Sequence, residues 1–177
     1  MTRSDVEHVA LVGLSGSGKS TVAPLIASRT SRIAVDLDRV VAERVGRPVA
    51  EIFAEPDGEA TFRSLETEAL LDALAGPPAV IATGGGVVLS ATNRSALRSD
   101  ARVVWLRAHP SQLAARLADT TEARPLLDGD VEFALQRLSE ERAALYDEVA
   151  ELVIDVDGVD PLSVGEEVVA GLGQARP

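Results

Sequence analysis

The stretch GLSGSGKST, Gly13 to Thr21, carries the residue types that hold the phosphates of a nucleotide. It fits the pattern of a glycine, four residues, then Gly-Lys-Ser. Gly16 and Gly18, with Ser17 between them, let successive backbone N–H groups curl around an anion, and a helix starting there adds the partial positive charge of its N-terminus. In such a loop Lys19 reaches the β- and γ-phosphates of ATP, the Ser20 hydroxyl coordinates magnesium (Mg2+), and Thr21 belongs to the same phosphate-binding turn. Lys and Arg together number 17, and Lys19 is the one lysine among them. A compact ammonium fits a crowded backbone nest where a planar guanidinium does not. The competing explanation is a glycine- and serine-rich turn with a chance lysine. An apolar strand before the motif and an amphipathic helix after it speak against that. The loop specifies a nucleotide and leaves the acceptor open.

Further features could complete the chemistry. Asp36-Leu37-Asp38 ends a strand-like run, and residues two apart on an extended chain point the same way. Both carboxylates are then expected at the carboxyl edge of a sheet, where open α/β sheets bind ligands. One could hold magnesium through water and the other accept a proton from an attacking hydroxyl. The plainer alternative has Asp38 capping the next helix. The helical pattern at 131–149 has an apolar stripe at Leu135, Leu138, Leu145 and Val149, and the missing member of the series is Arg142. A guanidinium on that stripe costs desolvation unless it meets an anion, which could be a ligand or an internal carboxylate. It could also lay its stem on the core with its head in water. Arg63 stands four residues after Glu59 and three before Glu66, so an ion pair on a solvated helix face is its simplest explanation. Arg124 precedes Pro125, which favours an extended conformation. It is either a lid arginine closing on the γ-phosphate or a solvated loop charge. Gly84-Gly85-Gly86 either offers unobstructed N–H donors or makes a flexible turn.

These residues need a scaffold that brings them together. Strand-like runs at 8–13, 32–36, 79–83, 102–107 and 151–156 alternate with helical patterns near 18–29, 37–46, 58–75, 90–99, 109–118, 131–149 and 160–172. That alternation predicts an α/β fold with a mostly parallel sheet, its strands covered on both faces. The polar segment from Asp119 to Asp130 reads as a mobile loop. A length of 177 residues suits one domain. Aromatics make up 3%, so the core must be built from Ala, Val, Leu and Ile. A net charge of −11 argues against general nucleic-acid binding. The absence of cysteine excludes disulfides and thiolate metal sites. No run of about 18 apolar residues predicts a membrane span, and the acidic N-terminal residues do not read as a secretory signal. A cytoplasmic protein is expected, and with no apolar face left over, a monomer.

Taken together, GLSGSGKST, VDLD, GRPVAEIF, DGEATFR, ATGGG, RPLL and ERAALY, in this order over about 10–155, resemble the shikimate kinases, within the nucleoside-monophosphate-kinase-like P-loop group. The resemblance implies one α/β/α three-layer P-loop domain over 1–177 with a five-stranded parallel sheet in the order 2-3-1-4-5. It also implies a substrate-binding helical region at about 37–65 and a mobile lid at about 117–130. The implied activity is transfer of the γ-phosphoryl of ATP to the 3-hydroxyl of shikimate, a step toward chorismate and the aromatic amino acids. By the same resemblance Ser20 and Asp36 hold magnesium, Asp36 through water. Asp38 binds the shikimate hydroxyls and activates the reacting one. Arg63 and Arg142 grip the shikimate carboxylate beside Gly84, Gly85 and Gly86, with Gly85 donating from its backbone. Arg116 and Arg124 belong to the nucleotide, and Phe53 and Phe62 wall the substrate ring. The chain departs from the family at Ala143 to Tyr146, AALY, where relatives often have a proline, and in a longer AEPDGE loop. It has no arginine in 155–161, where several relatives contact adenine with one. Two alternatives stand beside this reading: a kinase for gluconate or another polyhydroxy compound, and a nucleotide-binding regulator without catalysis.

Overall fold

A computed structural model describes residues 7–118 and 130–173. The elements, in chain order, are β1 (His8–Val12), α1 (Lys19–Arg29), β2 (Ile33–Asp36), α2 (Leu37–Val45), α3 (Val49–Phe53), α4 (Gly58–Ala75), β3 (Ala79–Ala82), a 3-10 turn (Val87–Leu89), α5 (Ala91–Asp100), β4 (Ala101–Arg107), α6 (Pro110–Ala118), α7 (Val131–Val149), β5 (Leu152–Asp155) and α8 (Pro161–Leu172). The five strands form one sheet, β2-β3-β1-β4-β5, every neighbouring pair parallel. This is the expected order.

Alternation along the strands explains the three layers. Ala10 and Val12 of β1 pack with Leu37, Phe62, Leu70, Leu97 and Leu135, under the helices from α2 to α7. Val9 and Leu11 point to the opposite face and pack with Val22 and Ile26 of α1 and with Val164 and Val168 of α8. All five residues of the central β1 are buried. The edge strands differ from the expectation of full cover: β2 has no buried residue, and β5 has one, Ile154. Each edge strand has a neighbour on one side only, so Ile33 and Val153 remain in contact with solvent.

The structure adds two elements and moves some boundaries. The short α3 and the 3-10 turn were not expected; five and three residues are too few to show a helical period. Strand and helix ends shift by one residue in most cases. The ranges of α4 and α7 match the sequence reading. Polar caps set several starts: Asp36 accepts from Arg39 N at 3.2 Å, Asp130 from Phe133 N at 3.1 Å, and Asp160 from Leu162 N at 3.0 Å. Asp36 and Asp38 therefore do not share an extended segment. Asp36 is the last strand residue and the cap of α2, while Asp38 sits in the first turn of that helix. The chain turns helical one residue too early for strand alternation to apply, and the capping role falls to Asp36 rather than Asp38.

Candidate active site

The loop between β1 and α1 turns on glycines with positive φ, Gly16 at 84° and Gly18 at 93°, a region other residues rarely enter. Gly18 leads directly into α1, so the loop and the helix N-terminus form one concave surface. Lys19 opens that helix and is only 7% exposed. Its ammonium donates to the carbonyls of Gly13 at 2.7 Å and Leu14 at 2.8 Å, and to Ser17 Oγ at 3.3 Å. These acceptors hold the cation inside the loop's curve. Ser20 and Thr21 are exposed beside it, and a cleft of about 650 Å³ runs along Ser15 to Val22 with Asp38, Thr83, Gly85 and Arg116 on its walls.

Arg116 extends this half of the cleft. Its guanidinium donates to Gly16 O at 3.4 Å and to Val156 O, bridging the phosphate loop to the segment after β5. The segment 155–161 has no arginine of its own, yet α6 brings one to it. Arg124 lies outside the described residues.

The opposite half is built from four distant pieces of chain. Thr83 donates its hydroxyl to Leu11 O at 2.9 Å, which anchors the start of the triple-glycine turn beside β1. Gly85 lies against the phosphate loop, where a Cβ would meet Ser15 N at 3.4 Å. The other two glycines leave room for charged side chains. A Cβ on Gly84 would overlap the Glu66 carboxylate and approach Asp38 Oδ1, and one on Gly86 would overlap the Arg63 guanidinium. The glycine run thus makes space for the protein's own charges.

Arg63 has both predicted helix partners, Glu66 Oε2 at 2.7 Å and Glu59 Oε1 at 3.5 Å. The face is only partly solvated, however: Glu59 is exposed, whereas Glu66 is 0% exposed. The Arg63 guanidinium also lies 5.3 Å from the Phe62 ring centroid and 5.9 Å from that of Phe53, and the two rings are 4.8 Å apart. Burial pushes the Glu66 carboxyl above its ordinary pKa, and nearby Asp38 adds to this, while Arg63 and Arg142 pull it back down. Arg142 is 5% exposed and has no carboxylate within 4.0 Å among the described residues. Its Nη1 donates to the Gly85 carbonyl at 3.0 Å. The buried stripe of α7 runs through Leu135, Leu138, Arg142, Tyr146 and Val149, so Tyr146 occupies the place expected for the half-buried Leu145. The Gly85 carbonyl faces α7, and its N–H donates to no backbone carbonyl among the described residues.

The structure thus brings Lys19, Ser20, Asp38, Gly85 and Arg116 to one cleft, with Gly84 and Gly86 beside it, Arg63 and Arg142 against the glycine turn, and Asp36 at the cap of α2 rather than on the cleft wall. Glu66 and Tyr146 were missed. Glu66 was visible only as a helix-pair partner of Arg63, and Tyr146 only as the end of ERAALY. Oxygen donors suit magnesium here. No group of three His, Asp or Glu residues among the described ones could cage a metal. Magnesium ordinarily takes one or two protein oxygens together with substrate phosphates and water.

The shikimate kinase family model matches residues 15–173. A shikimate kinase of Symbiobacterium thermophilum is 45% identical over 152 residues, covering 85% of this chain and 87% of that one. One from Moorella thermoacetica is 39% identical over 165 residues, covering 93% and 94%. Among solved structures, the shikimate kinase from Acinetobacter baumannii in complex with shikimate superposes with a TM-score of 0.88 at 31% identity, covering 93% of this chain and 91% of that one. With the cleft, the two arginines and the phosphate loop all in place, the chain belongs to the shikimate kinase family.

Proposed function

We propose that this protein transfers the γ-phosphoryl of ATP to the 3-hydroxyl of shikimate, releasing ADP and shikimate 3-phosphate, as a cytoplasmic monomer. The observation that carries the reading is Arg142: a buried guanidinium without a carboxylate partner among the described residues, on the acceptor side of a phosphate-binding cleft. A cation in that position is costly unless an anion meets it. The carboxylate of shikimate supplies one, and Arg63 supplies a second donor fork for it.

Each residue then has a task. The N–H groups of Gly16, Ser17 and Gly18, with Lys19 and Thr21, hold the β- and γ-phosphates. Arg116, and Arg124 from outside the described residues, add positive charge along the nucleotide. Ser20 would hold magnesium directly and Asp36 through water, and the ion supplies charge neutralisation on the phosphates when bound. Arg63, Arg142 and the glycine turn orient shikimate so that its 3-hydroxyl faces the γ-phosphorus. Asp38 binds the hydroxyls and takes the proton as the new O–P bond forms and the bond to ADP breaks. Phosphoryl transfer needs little covalent help, so positioning and charge do most of the work.

The test is ADP release in the presence of ATP and magnesium, with shikimate, gluconate or buffer alone. Release stimulated by shikimate only is the expected result. Stimulation by gluconate instead, or by neither acid, would overturn the assignment of the acceptor.

A further inference from the structure

Tyr146 lies one helical turn beyond Arg142 on α7, and its side chain is fully buried. Its ring packs on Trp105, with centroids 5.5 Å apart. Its hydroxyl donates to the Gly85 carbonyl, the same oxygen that accepts from Arg142 Nη1. Burial pushes the phenol far above its ordinary pKa, so the hydroxyl remains a donor. Two donors from one helix therefore converge on a single carbonyl in a turn of three glycines, the residue type with the most conformational freedom to lose.

A trans peptide is planar and carries its C=O and the next N–H on opposite sides, and no peptide here is cis. Holding the Gly85 carbonyl against α7 therefore fixes the Gly86 N–H on the far side. Among the described residues neither the Gly85 nor the Gly86 N–H donates to a backbone carbonyl. The same contact sets the Arg142 fork, because its Nη1 shares the carbonyl.

We propose that Tyr146 is a positioning residue: through the Gly85 carbonyl it fixes the direction of the Gly85–Gly86 peptide and of the Arg142 guanidinium, and so sets affinity for the acceptor without touching it. This rests on the reading of the acceptor as shikimate. A purely space-filling aromatic at this position would need no hydroxyl.

The experiment is Tyr146→Phe, which keeps the ring and its contact with Trp105. Calorimetric Kd and steady-state KM for shikimate should both rise about five- to tenfold, the cost of one buried hydrogen bond to a binding turn. The kcat at saturating shikimate and the KM for ATP should stay within about twofold, since the phosphate loop is untouched. Emission of Trp105, the single tryptophan, should be unchanged and report intact packing. Unchanged shikimate affinity in the variant, with wild type binding normally, would overturn the proposal. A collapse of Tm with shikimate and ATP parameters worsening together would also overturn it, making Tyr146 merely structural. A wild-type protein that fails to bind shikimate would remove the functional reading itself.

Discussion

The two halves of the cleft are built by opposite means. The phosphate half is nine consecutive residues, Gly13 to Thr21, and its donors are mostly backbone N–H groups shaped by positive-φ glycines. The acceptor half draws on α2 for Asp38, α4 for Arg63 and Glu66, the turn after β3 for its glycines, and α7 for Arg142 and Tyr146. Its charges are side chains in a dry setting, with Glu66 and Arg142 almost without solvent. A phosphate is a common ligand and can be met by a generic local device. Distinguishing one hydroxy acid from another requires groups held at fixed separations, which only the assembled fold supplies.

The largest break between the halves should come from Asp38→Asn. Loss of the proton acceptor predicts a fall in kcat of about 10²- to 10⁴-fold with ATP binding intact, measured by steady-state kinetics and nucleotide titration. Near-normal turnover would remove Asp38 from its role. Next is Arg142→Lys, which keeps the charge and loses the planar fork. Shikimate Kd should weaken by about one to two orders of magnitude while the KM for ATP holds. Equal damage to both substrates would mean that the halves are not separable.

Gly86→Ala acts on the acceptor half alone, since the nearest atoms to the added methyl belong to the Arg63 guanidinium, the far end of a side chain. The fold should survive while Arg63 is displaced, with shikimate KM raised about tenfold and Tm lowered by several degrees, since the buried Glu66 loses its partner. A large fall in Tm with unaltered shikimate KM would contradict it. The smallest effect should lie away from both halves. His8, buried at the amino end of β1, accepts from Ala79 N at 3.2 Å, and burial lowers its pKa below 6.5. The unfolded chain then takes up the proton first. Stability is complete above about pH 6.5 and falls as pH drops below it. Wild type should lose a few degrees of Tm relative to His8→Gln between pH 7 and 5. Parallel pH profiles for the two proteins would exclude a role for this histidine.

The contrast between the halves also governs how much was readable from sequence. The phosphate loop was legible because its residues are contiguous and flanked by a clear strand and helix. The sheet order came with the family pattern, and the long α7 was legible because its apolar stripe is interrupted only by Arg142. Arg142 stood out as a charge on an apolar stripe. Arg63 did not, because Glu59 and Glu66 at helical spacing offered an ordinary surface pair. Only burial shows that Glu66 is no surface residue. Asp36 and Asp38 were placed on one strand because the strand-to-helix junction falls between them, and a boundary shift of a single residue changes which side chain points where. Tyr146 was hidden behind Leu145, since neighbouring positions on a helix satisfy an apolar stripe almost equally.

Arg63 and Arg142, around the glycine turn, are expected to read the acceptor's carboxylate. Calorimetric titration of the wild-type protein with shikimate and with its methyl ester tests it directly. The ester keeps the ring and every hydroxyl and lacks the charge. Binding of the ester at least about 100-fold weaker than shikimate, with ATP affinity unchanged, is the predicted result. Equal affinity for acid and ester would contradict it, and Arg63 and Arg142 would then need another partner.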